Sequence, residues 1–503
     1  MSFPVRKTLK GRRAIVIGSG PGGLSAAISL AVRGAQVVVL EKGSEPAEGL
    51  RTQSLKDFRF EPWPPFLVHP QIMAELFASA NLRLTDFLTL ERLDPLVRFV
   101  TPNGTAVDFF QKEERFLEQI AALSPDDARQ AKMLLREGRR LAKAMNGFQR
   151  RWPLSAAGAL STWEVLPNVL SLLRGDHFDD YVRRHFRNPE VRSLFLSMRV
   201  LSGLQGRSQR AVAQRFLGDL QTTGGWTVEG GAEALRSALL RVCEILNIRF
   251  LTGAILEKIE LQDGRVRRLH GTGFKPLTAS IVVCTANIGQ AFRDLLPRSE
   301  GTSRMLGNWS KLRRSPSSCL LLLGMKKRPE DLRPLTVYCS ANAKEESRFL
   351  DRWGVVSTFP SVALADLGRA SEGSAPEGKA ALLARVEAPV LSSRYAWNED
   401  HSREVEERVM AVLAGRGLEV TESVEQRLFL SPADLDRQAT GLWGDGPAWA
   451  ADTFRQWRGL PPNRVGAVPG LYLAGNGAFP GQGLGNVVLG GMLAALCAAD
   501  DAT

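Results

Sequence analysis

Six residues near the start of the chain, Gly18-Ser19-Gly20-Pro21-Gly22-Gly23, have the types and spacing to hold a diphosphate. Gly18 permits a tight turn, Gly20 lets the backbone approach the phosphates, and Gly23 lets a helix sit close to a strand. The dipole of that helix then faces the negative charge. The flanks supply the context the motif requires: an apolar strand Ala14 to Ile17 before it, a helical pattern from Leu24 to Val32 after it, and a second strand ending in Glu41. Glu41 stands at the distance where an acid accepts hydrogen bonds from ribose hydroxyls. A carboxylate there repels a 2′-phosphate, which argues against NADP. The fingerprint predicts a bound dinucleotide and leaves FAD and NAD both open.

A second run asks for a different explanation. From Gly470 to Leu496 the chain reads GLYLAGNGAFPGQGLGNVVLGGMLAAL, with glycines crowded around an exposed-looking Phe479-Pro480 and a lone Gln482, just before an apolar helix. Backbone freedom of this kind weakens local structure, so it implies close approach to a ligand.

The bulk numbers exclude several classes. A chain of 503 residues exceeds one simple core, so two or three domains are expected. A 44% hydrophobic and 23% charged composition is globular, and no run of about 18 apolar residues suggests a membrane span. The five cysteines are scattered without a C-x-x-C pair, which predicts reduced thiols in a cytoplasmic setting. The five histidines do not cluster, so no metal site is expected. Net charge is +12, but no nucleic-acid motif accompanies it, which leaves a solvated surface or an anionic membrane face.

The βαβ rhythm stops after Arg51 and returns in the segment from Thr222. Between Phe60 and about Leu220 the pattern reads mostly helical, with Pro and Trp punctuation. A helix from Ala232 to Leu246, a strand Ile248 to Leu251, an Asp263-Gly264 hairpin and a buried strand in ASIVVCTAN follow. A mixed region with strands in SCLLLLGM and ALLARVEAP precedes the closing run. The expected fold is α/β: a Rossmann-type domain from residues 1–60, 222–290 and 461–503, with an inserted mixed α+β substrate domain from 61–221 and 291–460.

With the first fingerprint, the Gly224-Gly225-Trp226 segment and FPGQG at Phe479 to Gly483 in view, the chain resembles the flavin-dependent carotenoid desaturase and isomerase family. APEGKAALL, Ala375 to Leu383, is similar to another of the family's motifs. The resemblance implies an FAD cofactor and an amine-oxidase/phytoene-desaturase-like architecture. It implies that Gly18, Ser19, Gly20, Gly22, Gly23, Glu41, Lys42 and Arg51 hold the pyrophosphate and ribose, and that Ile255 and Leu256 pass the adenine. Gly475, Asn476, Gly483 and Val487 then reach the diphosphate, ribityl chain and ring. The chain departs from the family pattern at PAEGLRT, which shifts Arg51, at Trp63, and at Asn476, where an Asp is usual.

Flavin chemistry on a polyene needs an apolar tunnel rather than a charged triad, and no Ser/His/Asp or Cys/His arrangement stands out. Candidate walls are Trp63, Phe66, Trp152, Trp163, Trp226 and Phe479, with Gln482 beside them; ordinary core packing is the competing role for each ring. Glu61 and Arg51 either place charge near the flavin or lie on a solvated surface. The stretch Arg150 to Asp176 combines Trp, Leu and Arg, which suits a peripheral membrane contact or a helix covering the core. The resulting expectation is an FAD-dependent oxidoreductase, or redox-dependent isomerase, acting on a carotenoid or related isoprenoid polyene at the membrane surface. The alternatives are an amine-oxidase-like flavoenzyme with a polar substrate, and a non-catalytic flavin-binding partner of a polyene-pathway complex.

Overall fold

The computed structural model describes residues 8–61, 66–150, 176–202, 208–286, 292, 295–370, 373–391, 396–418, 422–438 and 453–502. The first strand β1 (Arg13–Ile17), helix α1 (Pro21–Val32) and strand β2 (Gln36–Leu40) form as the apolar pattern requires. They belong to a five-stranded parallel sheet. Its order is Leu471–Leu473, Ile281–Cys284, β1, β2, Arg249–Leu251, so three distant pieces of chain share one sheet. Ile281–Cys284 and Leu471–Leu473 are buried throughout, as continuous apolar runs in a parallel sheet must be.

The closing helix, Leu484–Asp501, crosses α1 at glycines. A methyl on Gly491 would lie 2.3 Å from the Gly22 carbonyl oxygen, and Ser25 Oγ donates to the Val488 carbonyl at 2.7 Å. Among the described residues this is the one helix long and apolar enough to cross a membrane, and 78% of it is buried inside the protein. Helix α2 (Pro70–Ser79) lies against it and adds Ile72, Met73, Leu76 and Phe77 to the same core.

A second, seven-stranded sheet is built on Ser317–Met325 and Ala380–Ala388, both buried along their whole length. Its far edge is the hairpin Val97–Val100 and Ala106–Phe109. That hairpin is an exception within the 60–220 region, whose other described elements are mostly the helices expected. Asn103-Gly104 is the turn signal that marks it, with Gly104 at φ +90°. Its partner strand, Leu335–Tyr338, lies more than two hundred residues away, so the pairing has no local trace. The Asp263-Gly264 hairpin forms as expected, with both turn residues at positive φ.

The fold is therefore α/β, a Rossmann sheet with a mixed inserted unit.

Candidate flavin site and its surroundings

Gly18 turns at φ +91° and donates its N–H to the Leu40 carbonyl at 2.8 Å, tying the glycine turn to β2. Gly23 is the residue that cannot change: an added Cβ would sit 2.0 Å from the Gly18 carbonyl oxygen. Gly20 caps α1 in the extended conformation, and a Cβ there would meet no atom within 4 Å. Helix α1 has no side-chain cap and no acid in its first turn. Its first N–H groups are thus left for an anion, and the space above Gly20 gives it room.

Glu41 is held in place by the same turn. Its Oε2 accepts from the Ser19 N–H at 2.9 Å and from the Ser19 hydroxyl, and its Oε1 accepts from the Gly43 N–H at 2.9 Å. Ser19 Oγ in turn accepts from the Ala47 N–H at 2.7 Å. The Glu41 carbonyl accepts from the Ala254 N–H at 2.9 Å, which brings the start of the strand Ile255–Gln262 beside it. Ile255 is 52% exposed there, an apolar face open to a flat base, and Leu256 follows half-buried. Lys42 is exposed. Arg51 pairs with Glu45 at 3.5 Å on the surface, and Arg236 shares the same carboxylate at 3.2 Å.

The closing run meets this turn directly. A Cβ on Gly22 would lie 3.0 Å from both the Gly475 nitrogen and Val487 Cγ1. Gly475 turns at φ +90°, half-buried Asn476 follows it, and Gly483 at φ +96° begins the closing helix with no side-chain cap and no acid in the first turn. Two uncapped helix N-termini are therefore packed side by side through Gly22, Gly475 and Val487. The remaining glycines of the run have another role. Methyls on Gly485 and Gly490 would strike the carbonyls of Val68 and Phe479 at 2.8 and 3.1 Å, so these two glycines, with Gly491, serve helix packing.

Phe479 corrects the exposed reading of its sequence. It is 3% exposed, with its ring 5.2 Å from that of Trp457 in the core of the Rossmann unit. Gln482 is half-buried and accepts from Asn486 Nδ2 through its carbonyl at 2.8 Å. Glu61 is likewise not on a solvated surface: it is 8% exposed, and its Oε1 occupies the place a Cβ on Gly231 would take, at the start of the helix Gly231–Ile245. A buried carboxylate at a helix start is favourably placed for the dipole.

Phe66 is buried in the core of the inserted unit, and its neighbour Leu67 pairs with Trp226. Leu67 exchanges backbone hydrogen bonds with Trp226, at 2.7 and 3.0 Å. Trp226 is half-buried, donates Nε1–H to the Thr223 carbonyl at 2.8 Å and lies 5.7 Å from the Arg92 guanidinium. The chain then runs from Phe66 to Val68 and His69, which touch the first turn of the closing helix at Gly485. The segment Phe66–His69, which pairs with Trp226 through Leu67, thus leads to the uncapped helix end. Trp63, Trp152, Trp163 and nearly all of the Arg150–Asp176 stretch lie outside the described residues.

Three contributors carried no sequence signal, because each acts across distant chain. Thr285 donates its hydroxyl to the Ile17 carbonyl at 2.7 Å and stands between Gly18 and Gly475. His69, at φ +66°, places Nε2 3.6 Å from Asp219 Oδ1. Asn463, 1% exposed, donates from Nδ2 to the carbonyls of Leu473, Phe479 and Gly490 at 3.0, 2.8 and 3.3 Å. That one amide joins the last strand, the loop and the closing helix. Asn463→Ala is expected to cost about 2 kcal/mol by leaving these carbonyls unpaired. It should also lower the flavin-to-protein absorbance ratio; an unchanged melting midpoint and ratio would refute the clamp.

A parallel sheet with a glycine turn, an acid after its second strand and a second glycine run against the first helix define a dinucleotide-binding oxidoreductase of the two-unit flavoenzyme type. Residues 13–308 match the family described as FAD dependent oxidoreductase (DAO), and the chain belongs to that family. It is 25% identical to the hydroxyneurosporene desaturase of Rubrivivax gelatinosus, over 97% of this chain and 93% of that protein. It is 27% identical to the all-trans-zeta-carotene desaturase of Myxococcus xanthus, over 94% and 90%. A solved triple mutant of putrescine oxidase superposes with a TM-score of 0.63 at 16% identity, covering 97% of this chain and 98% of that one, which is a likeness of fold. The protein is an FAD-dependent oxidoreductase homologous to carotenoid desaturases. The open space at Gly20 and the two uncapped helices fit that cofactor.

Proposed function

We propose that this oxidoreductase desaturates, dehydrogenates or isomerises a carotenoid or related isoprenoid polyene, working from the cytoplasm as a peripheral protein on a membrane surface. The observation that carries the reading is the continuity of the segment Phe66–His69, which bonds Trp226 through Leu67 and meets the open first turn of the closing helix. The names of the relatives, which act on hydroxyneurosporene and zeta-carotene, support the substrate class. Residues 1–60, 222–290 and 461–503 serve the cofactor, and 61–221 with 291–460 serve the substrate, apart from α2, which packs on the cofactor unit's core.

Bound FAD supplies a two-electron acceptor. The chain binds and orients it. Ser19 and Gly43 aim Glu41 at the ribose, and Gly18, Gly20, Gly22 and Gly23 clear the diphosphate path. Ile255 and Leu256 border the adenine, and Gly475, Asn476, Gly483 and Val487 line the way to the ring. The closing helix, uncapped at its N-terminus, would offer N–H groups to negative charge on the cofactor. Phe66 and Trp226, on the segments that run to that end, would provide an apolar wall that excludes water.

The deciding experiment expresses the gene in cells that accumulate different carotenoid precursors and separates the pigments by chromatography. A shift of one precursor to a product altered in conjugation or geometry is expected. Flavin-loaded protein that leaves every precursor unchanged would overturn the reading.

A further inference from the structure

Five large apolar side chains stand out as exposed among the described residues, and the two aromatic ones share one short stretch: Trp353 at 54% and Phe359 at 65%. They lie at the tip that follows the helix Ala343–Arg348. Phe349 to Trp353 make a single wide helical turn, closed by Gly354 at φ +67°. Phe349 packs edge-on against Trp353 at 4.7 Å, and Leu350 beside them is half-buried.

This tip is not a loose loop. The Val355 N–H returns to the Phe349 carbonyl at 3.0 Å, and Val356 is 1% exposed, its carbonyl taken by Arg408 at 3.0 Å. Ser340 Oγ donates to the Phe359 carbonyl at 2.7 Å. Ser361 bonds both oxygens of buried Glu346, through N–H at 2.7 Å and Oγ at 2.8 Å. Buried Arg199 donates to the Ala343 carbonyl at 2.9 Å and to Ser347. Both ends of the tip are therefore fastened to the interior while its rings face water.

Arg348 and Arg352 flank the rings, exposed and without an ion-pair partner among the described residues. Asp351 is exposed on the same turn, so one carboxylate accompanies the two guanidinium groups there. Half-buried Glu345 precedes the turn, and Glu404 is held by Arg408, which also bonds Val356. Aromatic rings presented rigidly between outward arginines match the headgroup level of a bilayer, where rings enter the interface and guanidinium groups reach phosphate. The net charge of +12 favours the same partner.

From this we propose that the Phe349–Phe359 tip inserts Trp353 and Phe359 into the interfacial layer of a phospholipid bilayer. The proposal rests on the reading of the substrate as a bilayer-dissolved polyene, and it names the surface that brings the enzyme to it.

The test compares flavin-loaded wild type with a Trp353→Ser, Phe359→Ser double variant. Each is sedimented with phosphatidylcholine vesicles, with and without phosphatidylglycerol. Wild type is expected to bind, more strongly with the anionic lipid, and the double variant to lose about tenfold or more in partitioning at an unchanged melting midpoint. Equal binding of the two proteins would overturn the proposal, as would a wild type that ignores vesicles. So would a lipid-free wild-type dimer that the variant converts to monomer, since a second copy would then be what covers the rings. Turnover of a detergent-dispersed polyene is read separately. If it is absent while wild type alone binds vesicles, the functional reading falls and the membrane contact stands.

Discussion

Gly23→Val is expected to give protein that purifies without flavin and unfolds at least about 3 kcal/mol more easily. The atoms in the way are backbone: the Gly18 carbonyl oxygen at 2.0 Å and its carbon at 3.0 Å from the added Cβ. Neither can rotate aside, so α1 must lift from β1. That lift disturbs Gly18 against Leu40 and Gly22 against Gly475 and Val487, the contacts that set both ends of the cofactor path. Gly20→Ala is the control. Gly20 already has an ordinary backbone conformation, φ −62° and ψ 173°, and its Cβ meets nothing within 4 Å. The apoprotein should therefore keep its stability to within about 0.5 kcal/mol, while flavin affinity falls about tenfold or more because the methyl fills the diphosphate path. Flavin absorbance, isothermal titration of the apoprotein with FAD, and denaturant melts separate the two effects. Equal behaviour of the two variants would refute the division of labour between them.

The pair also shows what could be read before the structure. The strand, turn and helix around Gly18–Gly23 form from adjacent residues, so spacing alone located them. Continuous apolar runs such as Ser317–Met325 announced buried strands for the same reason. The closing run was legible as a place of close backbone approach, but not as to what approaches. Gly475 and Gly483 turn at positive φ beside the site, whereas Gly485, Gly490 and Gly491 make room for neighbouring backbone. A glycine has no side chain to reveal which of these it does. The exposed reading of Phe479 and the solvated-surface option for Glu61 failed because burial is set by partners far along the chain: Trp457 beside the first, the start of Gly231–Ile245 beneath the second. Asn463 had no chance of notice, since a lone Asn after two prolines is an ordinary loop residue until three carbonyls from separate elements converge on it.

Arg199→Leu is expected to destabilise the inserted unit by about 3–5 kcal/mol at neutral pH, with the loss growing as pH rises. Arg199 is 3% exposed and sits among carboxylates: Asp179 at 3.2 Å, Glu346 at 3.7 Å, and the nearby Glu387, whose own strand also supplies Arg385. Burial pushes the Glu387 carboxyl up to about 7 from its ordinary 4.5, and pushes Glu346 up as well; the charge of Arg199 opposes both shifts. A carboxyl whose pKa is raised by folding binds its proton more tightly in the native state. Its contribution to stability is then complete below about pH 4.5 and is lost as pH rises through about 7. Without Arg199 the opposing charge is gone, the raised values climb further, and ionising these groups in the interior becomes dearer. The deficit of Arg199→Leu should thus be smaller near pH 5, where Glu387 holds its proton, and largest above pH 7. Adding Glu387→Gln removes one buried charge that has lost its partner. The double variant should recover about 3 kcal/mol at alkaline pH and show a flatter profile than the single one. Urea melts at about pH 5 and pH 8 decide the matter. An equal loss at both values would mean that Arg199 acts through its bonds to Ala343 and Ser347 rather than through charge.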